Sequence, residues 1–369
     1  MSDAAAGSRL DVAMMARAVR EARKGRPSPN PHVGAVVARG STLLAVGHHD
    51  RCGGPHAEVV ALQRAGARAR GATLYVTFEP CNHHGRTGPC TEAILAAGVA
   101  RVVVGCADPA PHVPGSSRKL RRAGVAVEIG VLGAQACALI EDFTVFMLEH
   151  RPHVTLKAAL TLDGRLAARS GDSKWITAEP ARREAHRMRA RADAVLVGVS
   201  TVLADDPELT TRLVRGPDPV RVVLDTRLRT PPTGKIARTS SGRRTLIFHG
   251  PGASPRRRRE LAARGVELCE VPLGKKDRLR LASVMRELWR RDVVRLLVEG
   301  GSQVHGAFLD AGLADRAALF LAPRILGDAR AIPFADGARK LVLADAFALE
   351  GATVRRLGPD FLVEGAFRR

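Results

Sequence analysis

Short apolar runs recur along this chain, each long enough for one strand, and segments of helical spacing or turn chemistry separate them. In the first part they are Gly34 to Ala38, Leu43 to Gly47, ATLYVTF and RVVVGC. An amphipathic helix from Leu10 to Arg23 comes before them, and further helices open at PHAEVVAL and PCTEAILAAG. A helix from Ser117 to Ala123, a strand from Val125 to Ile129 and a helix around Asp142 to Glu149 complete the unit. Strands that alternate with helices imply a layered α/β sheet. Arg151-Pro152 breaks the pattern, and VTLKAALTLDGR begins a new strand and turn. Alternation then resumes through DAVLVGV, VRVVLDT, TLIFH, a basic helix, VVRLLVEGG, the helix QVHGAFLDAG and AALFLAP. No period of roughly twenty to fifty residues repeats, which excludes a solenoid. Two α/β domains of unlike pattern are expected, 1–150 and 151–369.

The six cysteines need a compartment before they can be read. Asp11, Arg17, Arg20 and Glu21 interrupt the first helix, so it lacks the apolar stretch of a signal peptide, and no later run is long enough to span a bilayer. The expected location is the cytoplasm, where thiols stay free and a metal or catalytic role outweighs a disulfide. Cys106, Cys137 and Cys269 lie in apolar runs and read as core or element ends, and Cys52 reads as structural. A formal charge of +21 raises nucleic acid as a partner. Against it, arginine is spread along the whole chain and aromatic residues are only 4%, too few for base-stacking platforms. No nucleic-acid or membrane partner is expected.

EPCNHHGRTGPC, residues 79–90, sets a cysteine at each end of a loop, and PHAEV places His56 at a helix start with Glu58 two residues on. Cys81 follows a strand, and Cys90 opens a helix behind Pro89, which suits a first turn. A helix N-terminus lowers thiol pKa and favours the thiolates that bind a soft divalent ion. One imidazole and two thiolates make three ligands for zinc and leave a place for water, the arrangement of a catalytic site. Glu58 is the expected proton carrier beside the metal. H-x-E with P-C-x-x-C is the signature of zinc deaminases acting on nucleobases; here eight residues separate the two cysteines. With three ligands already supplied, His83 and His84 are expected to face substrate or to support the ligands from behind rather than to bind the metal.

The segments NPHVGAVV, PHAEV and EPCNHHGRTGPC, in this order, resemble the N-terminal half of the bifunctional riboflavin-biosynthesis deaminase/reductase family, whose loop is of this longer form. LKAALTLDGR, GDSKWIT, GVSTVLADDPELTTR, VVLDT, VEGGSQVHGAFL and LAPRILG are similar to its reductase half. The resemblance covers nearly the whole chain in one register. It implies a cytidine-deaminase-like α/β/α domain followed by a dihydrofolate-reductase-like α/β domain. It also implies two reactions on phosphorylated pyrimidines. The first is zinc-dependent loss of ammonia from a diaminopyrimidinone bearing a phosphoribosylamino group. The second is NADPH-dependent reduction of the ribosyl group of the resulting aminouracil to ribityl.

Carried over by motif, His56, Cys81 and Cys90 would hold zinc, Glu58 would carry protons and Asn30 would hold the pyrimidine. In the second domain no GxGxxG is present, but Glu299-Gly300-Gly301-Ser302 joins a strand to a helix as a phosphate-binding turn does. The resemblance assigns NADPH to Gly301, Ser302, Gln303, Val304, His305, Gly306 and Ala307, with Ala159, Trp175, Thr201, Asp205 and Thr226. It assigns substrate to Ser173, Arg189, Leu209, Arg212 and Glu299, the two arginines suiting a phosphate monoester. The loop DPAPHVPGSS departs from the family, with Ala110 where asparagine is usual and Ser116-Ser117 after Gly115. NADPH in place of NADH rests on the resemblance alone. A homo-oligomer is the expectation, although no motif carries it. The competing readings are a zinc deaminase acting on bases in nucleic acid and a zinc-stabilised binding module, the latter requiring a fourth protein ligand.

Overall fold

The structure, a computed structural model, describes residues 8–85, 87–109, 115–339 and 342–368. The chain divides between His150 and Arg151 into two compact units.

In the first unit α1 (Arg9–Ala22) leads into β1 (Gly34–Arg39) and β2 (Thr42–His48). There follow α2 (Ala57–Ala65), β3 (Thr73–Phe78), α3 (Cys90–Ala97), β4 (Arg101–Cys106), α4 (Ser116–Arg122), β5 (Ala126–Ile129), α5 (Gly133–Cys137) and α6 (Glu141–Glu149). The five strands lie in the order β2-β1-β3-β4-β5; β1 is antiparallel to both neighbours, and β3, β4 and β5 run parallel. Parallel strands need helices on their faces. Met15 and Ala18 of α1 cover one face through Val36, Tyr75 and Val103. On the other, Ala61, Leu62, Ile94 and Leu120 of α2, α3 and α4 pack on Val37, Val76 and Val104.

Two features set this unit's geometry. Ser8 and Asp11 form a reciprocal cap on α1, and the same Asp11 carboxylate accepts from Tyr75 and Arg101 at 2.8 Å each, tying α1 to β3 and β4. Gly47 lets α2 approach β2 closely, for a Cβ there would stand 2.3 Å from the Ala57 carbonyl oxygen. That contact fixes the start of α2, where His56 and Glu58 sit.

The expectation of free thiols fails for one pair: Cys106 and Cys137 are joined in a disulfide with their Cα atoms 5.2 Å apart. The buried end of β4 meets the exposed end of α5, so Cys137 is an element end rather than core; α5 is absent from the sequence reading, and nothing linked two cysteines 31 residues apart. Ala110 lies outside the described residues.

The second unit contains β6 (His153–Thr161), β7 (Arg165–Ala167), α7 (Glu179–Arg191), β8 (Ala194–Gly198), α8 (Val199–Asp205), β9 (Val220–Leu224), α9 (Lys235–Arg238), β10 (Thr245–His249) and α10 (Pro255–Ala262). It continues with β11 (Glu267–Glu270), α11 (Leu281–Arg290), β12 (Arg295–Val298), α12 (Ser302–Asp310), β13 (Arg316–Ala322), β14 (Ile332–Pro333), β15 (Leu349–Leu357) and β16 (Asp360–Phe367). Nine strands form one sheet, β11-β10-β9-β8-β12-β6-β13-β16-β15, parallel as far as β13 and antiparallel over the last two pairings. α11 and α12 cover one face through Met285, Leu288 and Phe308. α8, α9 and α10 cover the other through Val202, Ile236 and Leu261. At the entry to the unit Arg151 forms a two-pronged ion pair with buried Asp315 at 2.7 and 2.8 Å, and the same carboxylate accepts from Val154 N–H.

Candidate active sites

In the first unit, three side chains from separate elements converge. His56 precedes α2, Cys81 follows β3, and Cys90 is the first residue of α3, with Pro89 in extended conformation at the cap rather than in the first turn. Their ligand atoms all lie within 4.8 Å of one another. His56 Nδ1 is 3.2 Å from Cys90 Sγ and 3.5 Å from Cys81 Sγ. The other ring nitrogen, Nε2, is 3.3 Å from Thr87 Oγ1. With Nδ1 bound to a cation, Nε2 would carry the proton and donate to Thr87 Oγ1, an outer hydrogen bond that fixes the ring. The backbone N–H of Cys90 points at Cys81 Sγ, 3.3 Å away. The Cys81 thiol lies well below its usual range, first through the hydrogen bond with Cys90 and then through His56, which together outweigh burial. The same sulfur–sulfur contact and burial push Cys90 up.

A soft cation fits this donor set, since one imidazole nitrogen and two sulfurs converge on one point. Among the described residues no fourth His, Cys, Asp or Glu joins the group. Glu58, 3% exposed, stands beside it, and burial raises its carboxyl above the ordinary range.

The adjoining cavity, about 260 Å³, is lined among others by Asn30, His49, Glu58, Phe78, His83 and Asp108. His49 Nδ1 lies 3.0 Å from the Pro55 carbonyl oxygen, so it must donate, which leaves Nε2 to accept from Asn30 Nδ2 at 3.0 Å. Burial holds His49 below its usual pKa, in keeping with a neutral ring. The Asn30 amide is thereby oriented with Oδ1 as its acceptor, and the Cys52 thiol is 3.7 Å from that oxygen. His49, Thr87 and Asp108 have no role in the sequence reading, although Thr87 and Asp108 lie in loops it singles out, because no ligand spacing marks them.

In the second unit the charged residues gather where β6 and β12 run side by side. Glu299 follows β12 directly, and it is held by Arg189 of α7 through Nε and Nη2 at 2.6 and 2.9 Å. Lys157 of β6 stands 3.4 Å from the same carboxylate and over the Phe320 ring. Burial alone would raise the Glu299 pKa, but Arg189 and Lys157 overcome it and keep the carboxylate far below its usual range. Arg189 Nη1 donates to the Thr210 carbonyl at 3.0 Å, so its fork is directed at protein oxygens rather than at a phosphate. Arg212 is exposed, with one weak contact to Thr210 Oγ1 at 3.5 Å. His186, one turn before Arg189, is pushed down to about 4 by burial and by the neighbouring cations, so it is neutral. Lys157 and His186 are absent from the sequence reading, although a lysine inside the apolar run VTLKAAL is a visible anomaly.

Gly301 caps α12, and a Cβ added there would meet only Thr201 Oγ1, 4.0 Å away, so open space lies in front of the helix start. Gly300 is different, since a Cβ would stand 2.5 Å from Val304 Cβ. A helix N-terminus with room before it accepts an anionic cofactor group. Ser302, Gln303, Val304 and Ala307 are at least partly accessible. His305 and Gly306 are buried, His305 bonding to the Phe334 carbonyl, so neither offers a side chain to a cofactor. Thr226 follows β9 at the same carboxyl edge of the sheet, where ligands of open α/β sheets bind. Trp175 is 62% exposed and lies under the Arg182 guanidinium at 4.7 Å, and its neighbour Lys174 pairs with Asp205 at 3.8 Å. Ala159 packs beside Phe320, Ser173 is half-buried, and Leu209 is buried with φ 55°.

Comparison with known proteins matches these features. Residues 8–106 match the family model of the cytidine and deoxycytidylate deaminase zinc-binding region, and residues 152–363 match the RibD C-terminal domain. The riboflavin biosynthesis protein RibD of Aquifex aeolicus is 42% identical, with 86% of this chain and 88% of that protein covered. RibD of Escherichia coli is 38% identical, with 95% and 97% covered. A solved structure of Acinetobacter baumannii RibD superposes with a TM-score of 0.86 at 36% identity, covering 98% of this chain and 99% of the other. A Thermotoga maritima structure, described as a diaminohydroxyphosphoribosylaminopyrimidine deaminase/5-amino-6-(5-phosphoribosylamino)uracil reductase, gives 0.84 at 37% identity over 97% and 99%. A zinc-binding deaminase domain followed by a reductase domain, alike in sequence and fold to these relatives over almost its whole length, makes this chain a member of the RibD family of bifunctional riboflavin-biosynthesis enzymes.

Proposed function

We propose that unit 1–150 deaminates 2,5-diamino-6-(5-phosphoribosylamino)pyrimidin-4(3H)-one and that unit 151–369 reduces 5-amino-6-(5-phosphoribosylamino)uracil with NADPH. The observation that carries the first half is the convergence of His56 Nδ1 and two sulfurs beside a buried Glu58. His56, Cys81 and Cys90 hold the zinc, which supplies Lewis-acid activation of water at neutral pH. Glu58, whose carboxyl burial raises above its ordinary range, takes the two protons of the water in turn at its carboxylate and delivers one to the ring nitrogen and one to the departing amine. Asn30, its amide turned by His49, offers Oδ1 to a donor on the pyrimidine.

NADPH supplies the hydride in the second half. Gly301, Ser302 and the start of α12 receive its phosphates, with Thr201 alongside, and Ala159, Trp175, Asp205, Thr226, Gln303, Val304 and Ala307 make up the rest of its surroundings. Arg212 takes the substrate phosphate. Arg189 serves instead to keep Glu299 ionised towards the sugar, with Lys157 as its second cation. Ser173 and Leu209 complete the substrate side.

The charge of +21 belongs, on this reading, to solvated arginines and phosphate contacts, and no nucleic acid is bound. No helix of the described residues is long and apolar enough to cross a membrane. We infer a homo-oligomer, and β15, an edge strand exposed along almost its whole length with Val354 66% accessible, is a sheet edge left open to a second copy. The test is an assay of purified protein with the diaminopyrimidine, ammonia and NADPH being followed separately. Release of ammonia followed by NADPH oxidation supports both halves. Absence of either removes that half, and RNA binding with a steep salt dependence favours a nucleic-acid deaminase instead.

A further inference from the structure

Glu79 stands between β3 and the ligand Cys81, and its carboxylate gathers four donors from beyond β4. Asp108 N–H reaches Oε2 at 3.2 Å. Oε1 accepts from Ser116 Oγ at 2.9 Å, Ser117 N–H at 3.1 Å and Ser117 Oγ at 2.7 Å. Its own N–H donates to the Cys106 carbonyl at 2.9 Å. The two serines are buried, at 1% and 5% exposure. One carboxylate thus holds both ends of the connection between β4 and α4, and it does so from the segment that carries a metal ligand. Asp108, at one of those ends, lines the same cavity as Asn30, His49, Glu58 and Cys81.

We infer that Glu79 is a positioning residue for the deaminase substrate, holding Asp108 and the start of α4 against the metal-bearing loop so that Asp108 keeps its place in the cavity that takes the pyrimidine. This rests on the deaminase reading of the first unit. A carboxylate suits the task because it only accepts, and all four partners donate. Glutamine has the same shape, but its NH2 group would meet a backbone donor at one end, either Asp108 N–H or Ser117 N–H. Bonds to a charged acceptor are stronger than neutral ones, so the loss loosens this cavity wall rather than merely rearranging it. The metal set does not use Glu79, hence zinc content and wall position should separate.

The experiment is steady-state deamination by full-length Glu79→Gln, Ser117→Ala and the double variant, together with zinc content. The expected result for Glu79→Gln is a KM raised about ten-fold, with kcat within about two-fold and zinc bound as in the parent. Ser117→Ala should raise KM less, and the double variant should be no worse than Glu79→Gln, since both remove bonds to one carboxylate. KM at the parent value in both single variants overturns the proposal. So does a joint fall of zinc content and kcat with KM unchanged, which would make Glu79 a support of the metal loop only. If Glu79→Gln does not fold, Ser117→Ala carries the same decision. A parent protein that releases no ammonia from the diaminopyrimidine overturns the deaminase reading itself.

Discussion

Glu58 and Glu299 are both buried carboxylates, yet their surroundings drive them in opposite directions. Glu58 has burial as its dominant influence and is pushed up, as a group that must hold and release a proton requires. Glu299 has Arg189 and Lys157 against it and stays charged. Changing Glu58 to Gln should therefore leave zinc bound while ammonia release falls by about 10²–10⁴, and NADPH oxidation on the deaminated pyrimidine should not change. Ammonia release near the parent rate would remove Glu58 from its role. The two arginines assigned to substrate should separate as well. Arg212→Ala should raise the reductase KM for the phosphorylated substrate and leave the melting temperature in place. Arg189→Ala leaves the buried Glu299 carboxylate with Lys157 alone and should lower stability, by less than the about 3–5 kcal/mol of a wholly unpaired buried charge, seen in chemical denaturation. His56, Cys81, Cys90 and Glu58 were legible because ligand chemistry demands particular residue types at short spacings. Lys157, His49 and Glu79 were not, because each acts through a neighbour distant in sequence, such as Glu299 142 residues from Lys157.

Helices and strands were legible where an apolar run or a clear face marked them, as in RVVVGC for β4 and DAVLVGV for β8. The β15–β16 hairpin was missed because β15, an edge strand, is exposed from Glu350 to Arg356 and shows no alternation. α7 was missed because EPARREAHRMRAR is so rich in arginine that Ala181 and Ala185, which bury its inner face, do not stand out. The Glu299-Gly300-Gly301-Ser302 turn was visible, but its two glycines do different work. Gly301 leaves room ahead of α12, whereas Gly300 packs against Val304 within the first turn. In Gly300→Ala the new methyl would sit 2.5 Å from Val304 Cβ and displace the helix start. Overpacking of this kind should cost about 1–3 kcal/mol, and the KM for NADPH should rise while ammonia release is untouched. A parent-like NADPH KM would detach this helix start from the cofactor.

Each unit has its own sheet and its own buried clusters, with Val37, Val76 and Ile94 in one and Leu196, Leu246 and Phe308 in the other. The metal ligands all belong to the first, and the second needs no metal to gather Lys157, Arg189 and Glu299, since these charges satisfy one another. Removing zinc should act on one half of the molecule only. After exhaustive chelation the sulfurs and His56 lose their common partner, and the starts of α2 and α3 are no longer tied to Cys81. The thermal transition of the first unit should then move to lower temperature while that of the second stays in place, as calorimetry would resolve. Ammonia release should vanish and return on adding zinc. NADPH oxidation with preformed aminouracil should continue throughout at the parent rate; its loss on chelation would mean that the reductase depends on the metal-bearing unit, against the separation of the two cores.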